Sequence, residues 1–206
     1  MKKTIILDFD YTLFDAATFK TALAQSLKSF NIDEKLFFKT YKEIRYDNGK
    51  EIDYKPDKHL EKLAAITHND FNILSKAYFK ILDNCQKYLY LDSLAFIKKQ
   101  IANHEKLILL TFGNPEFQEK KVLSCNLEKY FTEIFYTDKP KITLAHEIID
   151  TDNTIFINDN PREIQELQQI YKHAKFVLIK RKNGKKYNHD YDFDQVKVIY
   201  NLNELE

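Results

Sequence analysis

The chain has 206 residues, 44% of them apolar, and its 32 basic and 31 acidic side chains leave a formal net charge of +1. That length suits one domain, or a core domain with an inserted subdomain, and the composition supports a packed core rather than a disordered chain. The charge balance argues against a phosphate-tracking surface for nucleic acid, and no apolar run approaches the ~20 residues of a membrane span.

Ile5-Ile6-Leu7 predicts a buried parallel strand that ends in two carboxylates, Asp8 and Asp10, with one residue between them. Ligands of open α/β sheets bind outside the carboxyl ends of the strands, so this pair stands where a ligand sits. An apolar strand emptying into paired acids is poor core design, and local misfits of that kind mark function. Three further Asp-x-Asp pairs, Asp150/Asp152, Asp190/Asp192 and Asp192/Asp194, lie in polar contexts and read as solvated turn acids. Met1-Lys2-Lys3 is not expected to open a signal peptide, because Asp8 and Asp10 interrupt the apolar stretch too early.

From about 17 to 90 the pattern is helical. Phe19, Leu23, Leu27 and Phe30 form one stripe at i+3/i+4 spacing, and Leu36, Phe37, Tyr41 and Ile44 a second. Leu60, Leu63, Ala64 and Ile66 make a third, and Phe71, Leu74, Tyr78, Phe79 and Leu82 a fourth. These aromatic stripes read as core packing. No strand is expected here, so the block is predicted to be an inserted all-helical subdomain. Its longest loop runs from Arg45 to Pro56, marked by Asn48-Gly49 and Lys55-Pro56.

Beyond residue 91 helices and strands alternate, the signature of βαβ units and a parallel sheet. Leu94, Phe96, Ile97 and Ile101 line a helix, and Leu107–Phe112 is a strand stopped by Gly113-Asn114-Pro115. A helix over 116–126 leads to a short strand at Ile134-Phe135-Tyr136, and a helix over Thr143–Ile149 to a strand at Thr154–Ile157. Pro161-Arg162-Glu163 opens the next helix. Phe176–Ile179 is a strand, Lys180–Lys186 a solvated charged turn, and Val196–Ile199 a last edge strand. The fold class is therefore α/β: a Rossmann-like parallel core over 1–16 and 91–206, with a helical cap over 17–90. Cys85 and Cys125 match no metal spacing and are expected as buried thiols of a reducing compartment, in a cytoplasmic protein.

Four strand ends thus carry polar residues toward one crevice. Singly they mean little: Thr111 is an ordinary strand-end threonine, Lys139 a solvated lysine, and Asp159-Asn160-Pro161 a helix-capping turn. Jointly, and in this order, they resemble the haloacid dehalogenase-like (HAD) hydrolase superfamily. Its first motif stands as Ile5-Ile6-Leu7-Asp8-Phe9-Asp10-Tyr11-Thr12-Leu13, and its second as Leu107-Ile108-Leu109-Leu110-Thr111. The third, a lysine often followed by proline, is Lys139-Pro140, with Lys141 as the alternative. The fourth is Ile155-Phe156-Ile157-Asn158-Asp159, with Glu163 four residues on. Asn158 replaces the usual Gly or Asp, and Glu163 the commoner Asp.

The resemblance implies a phosphohydrolase of small phosphorylated molecules, with Asp8 as the nucleophile that forms an aspartyl-phosphate and Asp10 as the general acid and base. It implies Mg²⁺ held by the Asp8 and Asp159 carboxylates and the Asp10 carbonyl. Thr111 and backbone N–H groups near Gly113 and Asn114 would hold the phosphoryl oxygens, Lys139 would add positive charge, and Glu163 would orient the lysine or a metal water. An insert between the first two motifs is, in this superfamily, a cap that closes over the site and reads the leaving group.

Asp10 argues against a dehalogenase, which needs no acid there. A phosphomutase keeps every motif. A phospho-acceptor receiver normally carries its acid after a middle strand and has no large insert, and a silent binding module on this fold is the remaining alternative. Neither the substrate nor an oligomeric state can be read from these residues. Within the Arg45–Pro56 loop, Arg45, Tyr46, Lys50, Tyr54 and Lys55 suit a polar or anionic leaving group.

Overall fold

The computed structural model describes residues 3–47, 50, 51, 53–149, 153–185, 187 and 196–205, with backbone alone for 46, 47, 50 and 51. β1 (Thr4–Leu7) is followed by α1 (Ala16–Ser26), α2 (Glu34–Arg45), β2 (Tyr46–Asp47), β3 (Lys50–Glu51), α3 (Pro56–Thr67), α4 (Phe71–Phe79) and a 3₁₀ stretch over Lys80–Tyr88. Alternation then begins: α5 (Ser93–Ala102), β4 (Lys106–Phe112), α6 (Pro115–Ser124), β5 (Glu133–Thr137), α7 (Ile142–Ile148), β6 (Thr154–Asn158), α8 (Pro161–Ile170), β7 (Lys175–Ile179) and β8 (Lys197–Ile199).

The sheet order is β5-β4-β1-β6-β7-β8, and every pairing in it is parallel. The chain leaves β1 toward β4 and β5, then returns to the other side of β1 at β6. The order reverses between β1 and β6, and a ligand crevice belongs at that reversal. Successive strand residues point to opposite faces, which explains the unbroken apolar runs. Ile5, Leu7, Leu107, Leu109 and Ile157 pack toward α5, α6 and the helical insert. Ile6, Ile108, Leu110 and Phe156 pack toward α7 and α8.

The insert enters and leaves through paired backbone: Asp15 donates to the Tyr88 carbonyl at 2.8 Å, and Tyr90 to that of Leu13 at 3.0 Å. Its stripes do the packing that their spacing predicts, with Phe19, Leu23, Leu27, Phe37, Leu60, Leu63, Leu74 and Tyr78 buried in one cluster continuous with a face of the sheet. It is not all helix. The backbone of Tyr46–Asp47 pairs antiparallel with Lys50–Glu51, where a loop is expected. The arms are too short and polar for an alternation signal, although Asn-Gly between two arms is itself a hairpin sign. Asn48 and Gly49 lie outside the described residues, as do Asp150, Asp152, Asp190, Asp192 and Asp194. Cys85 and Cys125 are buried and unbridged. Among the described residues no helix is long and apolar enough to cross a membrane.

A buried polar chain holds α2 to α3. Thr40 donates its hydroxyl proton to carbonyls of its own helix, at 2.9 Å to Leu36 and 3.0 Å to Phe37. Its oxygen therefore accepts from His59 Nε2, 2.8 Å away. His59 Nδ1 is then the acceptor for Tyr54 at 2.8 Å, and Tyr54 accepts from Tyr78 at 2.9 Å. This donor count needs a neutral imidazole, and burial holds the His59 pKa down at about 4 against an ordinary 6.5. A depressed folded-state pKa gives stability that is complete above 6.5 and lost as pH falls toward 4, because the unfolded chain takes the proton first. Urea denaturation should lose ~3 kcal/mol more across that window than the His59→Gln variant does. Equal pH slopes for the two proteins would refute the neutral-imidazole assignment.

Candidate active site

Asp8 continues the β1 ladder by one bond, donating its N–H to the Ile157 carbonyl at 3.0 Å. The chain then turns sharply: the N–H groups of Thr12, Leu13 and Phe14 all converge on the Phe9 carbonyl, and Tyr11 sits at φ 62°. A bulky side chain in the left-handed region costs on the order of 1–2 kcal/mol, and strain of this kind collects at functional sites. The turn is braced from the far end of the sheet. Arg181 donates to the Thr12 carbonyl from Nε at 3.1 Å and Nη2 at 2.7 Å, and its Nη1 pairs with buried Asp92 at 2.6 Å. The Lys180–Lys186 turn is therefore not merely solvated. Arg181 enters the interior because a guanidinium can satisfy a carbonyl and a carboxylate at once.

The lysine that reaches Asp8 is Lys141, not Lys139. Lys139 is exposed, held in a turn that the Thr137 hydroxyl closes against its N–H and carbonyl. Lys141, two residues on at the mouth of α7, is buried, with Nζ 2.5 Å from Asp8 Oδ1 and 2.8 Å from Glu163 Oε2. Pro140 marks the motif correctly, but the turn decides which neighbouring lysine faces inward. Glu163 also accepts from Asn158 Nδ2 at 2.7 Å and Asn160 Nδ2 at 3.0 Å. Asn158, the departure from the usual motif, thus holds Glu163 in place. Burial alone would raise the Glu163 pKa, but Lys141 outweighs it and the carboxyl lies below its ordinary range. Burial would also push Lys141 down, yet Asp8 and Glu163 hold it above its usual value.

Asp8 itself is pushed up to about 6, by burial more than Lys141 offsets. Asp159, directly after β6, is held well above its ordinary value by burial and by the Asp8 charge, and its Oδ2 accepts from the Tyr187 hydroxyl at 2.9 Å. Burial raises both carboxyls, and the Asp8 charge raises Asp159 as well, even with the Lys141 ammonium beside them. Among the described residues no three His, Cys, Asp or Glu side chains form a metal cluster. Two carboxylates and a backbone carbonyl do fit Mg²⁺, which keeps several waters and takes few protein ligands.

Asp10 is met by two residues that the motifs do not contain. Lys121 Nζ lies 2.7 and 2.8 Å from its two oxygens, and Gln118 Nε2 donates to Oδ2 at 2.9 Å. Both sit on one face of α6 at i, i+3 spacing. The buried Lys121 ammonium also stands 5.3 Å from the ring centroids of Phe9 and Phe14. Burial would raise Asp10, but the Lys121 charge prevails and keeps the carboxyl below its ordinary value. Gln118 needs Gly113 as its neighbour. A Cβ there would come within 2.8 Å of the Gln118 amide, and φ is +142°.

Of the groups expected to hold the phosphoryl oxygens, one falls differently. The Gly113 N–H donates to the Thr137 carbonyl at 2.8 Å, so it is already satisfied and is no free donor for a phosphoryl oxygen. Asn114 caps α6 through Oδ1 to the Phe117 N–H at 2.9 Å and donates from Nδ2 to Asp53 at 3.1 Å. Thr111 is 1% exposed, and among the described residues its buried hydroxyl has no partner. A cavity of about 560 Å³ opens above these groups, and Asp8, Asp10, Gly113, Asn114, Lys141 and Asp159 all line it.

No protein-family model matches the chain, and no curated protein matches it either. Solved structures do match, over almost its full length, and they show that it has the haloacid dehalogenase-like fold. A Burkholderia xenovorans protein assigned as a haloacid dehalogenase-like hydrolase superposes with a TM-score of 0.76 at 13% identity, covering 100% of this chain and 98% of its own. YfnB of Bacillus subtilis, assigned as a HAD hydrolase and solved with magnesium, gives 0.68 at 18% identity, covering 99% and 96%. A Thermotoga maritima protein assigned as a β-phosphoglucomutase gives 0.62 at 14% identity, covering 99% and 96%.

Proposed function

We propose that the protein is a Mg²⁺-dependent phosphatase of small phosphorylated metabolites, acting through an aspartyl-phosphate on Asp8. The observation that carries this reading is the linked set Asp8–Lys141–Glu163, with buried Asp159 beside it, at the reversal of strand order. Lys141 holds the Asp8 oxygen near the phosphoryl position and offsets negative charge there. Glu163, gripped by Asn158 and Asn160, fixes the ammonium. Thr111, one residue inside the end of β4 and buried beneath the cavity, is the hydroxyl that would turn to a phosphoryl oxygen; it has no partner among the described residues. When bound, Mg²⁺ would lie on the Asp8 and Asp159 carboxylates and the Asp10 carbonyl and neutralise charge between nucleophile and phosphate.

Asp10 serves the proton transfers. Lys121 and Gln118 favour its carboxylate, which takes a proton from the hydrolytic water and gives that proton to the leaving oxygen of the next substrate. The cavity, with walls from α1 and α2, has room for a small molecule above the strand ends. The direct test is phosphate release from a panel of phosphorylated metabolites, with Mg²⁺ and with chelator. Release that needs the cation supports the reading, and no release from any member overturns it.

The two remaining acids should fail in different ways. Asp10→Asn should bind Mg²⁺ nearly as the parent does, yet lose rate, and lose least on p-nitrophenyl phosphate, whose leaving group needs no proton. Asp159→Ala should raise the Mg²⁺ concentration for half-maximal rate by about tenfold or more, with recovery at high Mg²⁺. Identical metal titrations for the two variants would refute this division of roles.

A further inference from the structure

The half of the cavity away from the strand ends is built from α1 and α2, and it has a charge pattern of its own. Phe38, Tyr41, Lys42 and Arg45 are spaced i, i+3, i+4, i+7, so one face of α2 turns to the cavity. A helix face turned inward normally carries apolar residues only. Here it ends in two cations. Lys20, on the cavity side of α1, adds a third.

Lys20 is the most informative of them. It is half-buried, and its ammonium donates to the Tyr11 hydroxyl at 2.7 Å, above the Tyr11 ring at 5.0 Å and near that of Tyr41 at 5.7 Å. Among the described residues no carboxylate lies within ion-pair distance of it. The acids of α2 do not face the cavity, and Glu43 is turned to Lys62 at 2.6 Å. Among the described residues the acids that line the cavity are Asp8, Asp10, Asp159 and Glu163, beside the strand ends, and Asp10 is the one whose charge reaches Lys20. Asp53, bonded to Asn114 at 3.1 Å, also feels the Arg45 charge. Phe38, Tyr41 and Tyr54 provide apolar surface around the three cations.

We propose that the leaving group released here is an apolar, ring-sized body that ends in a second anion, which Lys20, Lys42 and Arg45 receive. The assignment rests on the phosphatase reading above and names the class of substrate for that site. A carboxylate and a second phosphate share the required chemistry, since either accepts charge-assisted hydrogen bonds from ammonium and guanidinium groups.

Non-hydrolysable phosphonates test this by calorimetry in Mg²⁺-containing buffer, independently of turnover. Benzylphosphonate carries the ring and one anion. 4-(Phosphonomethyl)benzoate adds a carboxylate, and 1,4-phenylenebis(methylphosphonate) adds a second phosphonate. At least one dianionic ligand should bind about tenfold more tightly than benzylphosphonate, and whichever binds tighter identifies the anion. That preference should fall toward unity in Lys20→Met and in Lys42→Glu, two separate variants in case one fails to fold. Equal affinity of all three ligands for the parent, or a preference that survives in both variants, overturns the second-anion assignment while leaving the phosphatase reading intact. Failure of every phosphonate to bind, together with no phosphate release from any metabolite, overturns both.

Discussion

Asp8→Asn should release phosphate at no more than about one ten-thousandth of the parental rate on any substrate, because removal of a nucleophile commonly costs several orders of magnitude. The substitution keeps the side-chain shape and removes only the charge that attacks phosphorus. It should not unfold the protein. Burial pushes the Asp8 pKa up to about 6, so the folded environment opposes the very charge the variant deletes. Lys141 keeps Glu163 as a partner at 2.8 Å. Thermal melting of Asp8→Asn at or above the parental temperature, with activity gone, is the expected pair of results, in keeping with active sites that sacrifice stability for function. Undiminished phosphate release would remove Asp8 from the mechanism. A loss of activity that tracked a loss of folded protein would remove the argument that its charge is the cause.

What could be read in the sequence depended on how local each signal was. Asp8, Asp10, Thr111, Asp159 and Glu163 each follow or closely trail an apolar run, and a run that stops at a polar residue locates a strand end without knowledge of the fold. The parallel sheet was legible for the same reason, since Ile5-Ile6-Leu7 and Leu107–Leu110 are apolar on both faces. Lys121 was not legible. It reads as one more lysine on an amphipathic helix, and only the packing of α6 against the Phe9–Phe14 turn buries its ammonium 2.7 Å from Asp10. Gln118 is hidden likewise, although its i, i+3 relation to Lys121 could have suggested a shared polar face. Arg181 lies 169 residues from the Thr12 carbonyl it braces, a separation that no local pattern encodes. Gly113 reads in the sequence as a strand stop and a backbone donor to the phosphoryl group. In the structure its N–H is taken by Thr137, and its missing side chain makes room for Gln118.

Lys141→Ala should be the second most damaging change, and comparison with Lys139→Ala gives it meaning. Among the described residues Lys141 is the cation that stands between Asp8 and Glu163, at 2.5 and 2.8 Å. Its removal leaves buried carboxylates facing one another, and breaking a buried pair in this way costs about 3–5 kcal/mol. Catalytic loss should add to this, about 10²–10³-fold in kcat for a positioned charge on the transferring group. Activity must therefore be measured at a temperature where the variant is shown to be folded. Lys141→Arg should restore stability more than rate, because a planar guanidinium keeps the charge but cannot occupy the same point between two oxygens. Lys139→Ala should retain parental stability and rate, since that side chain points to solvent. If Lys139→Ala lost rate by a hundredfold while Lys141→Ala stayed active, the proline-preceding lysine would be the working one and the Asp8–Lys141 contact a bystander.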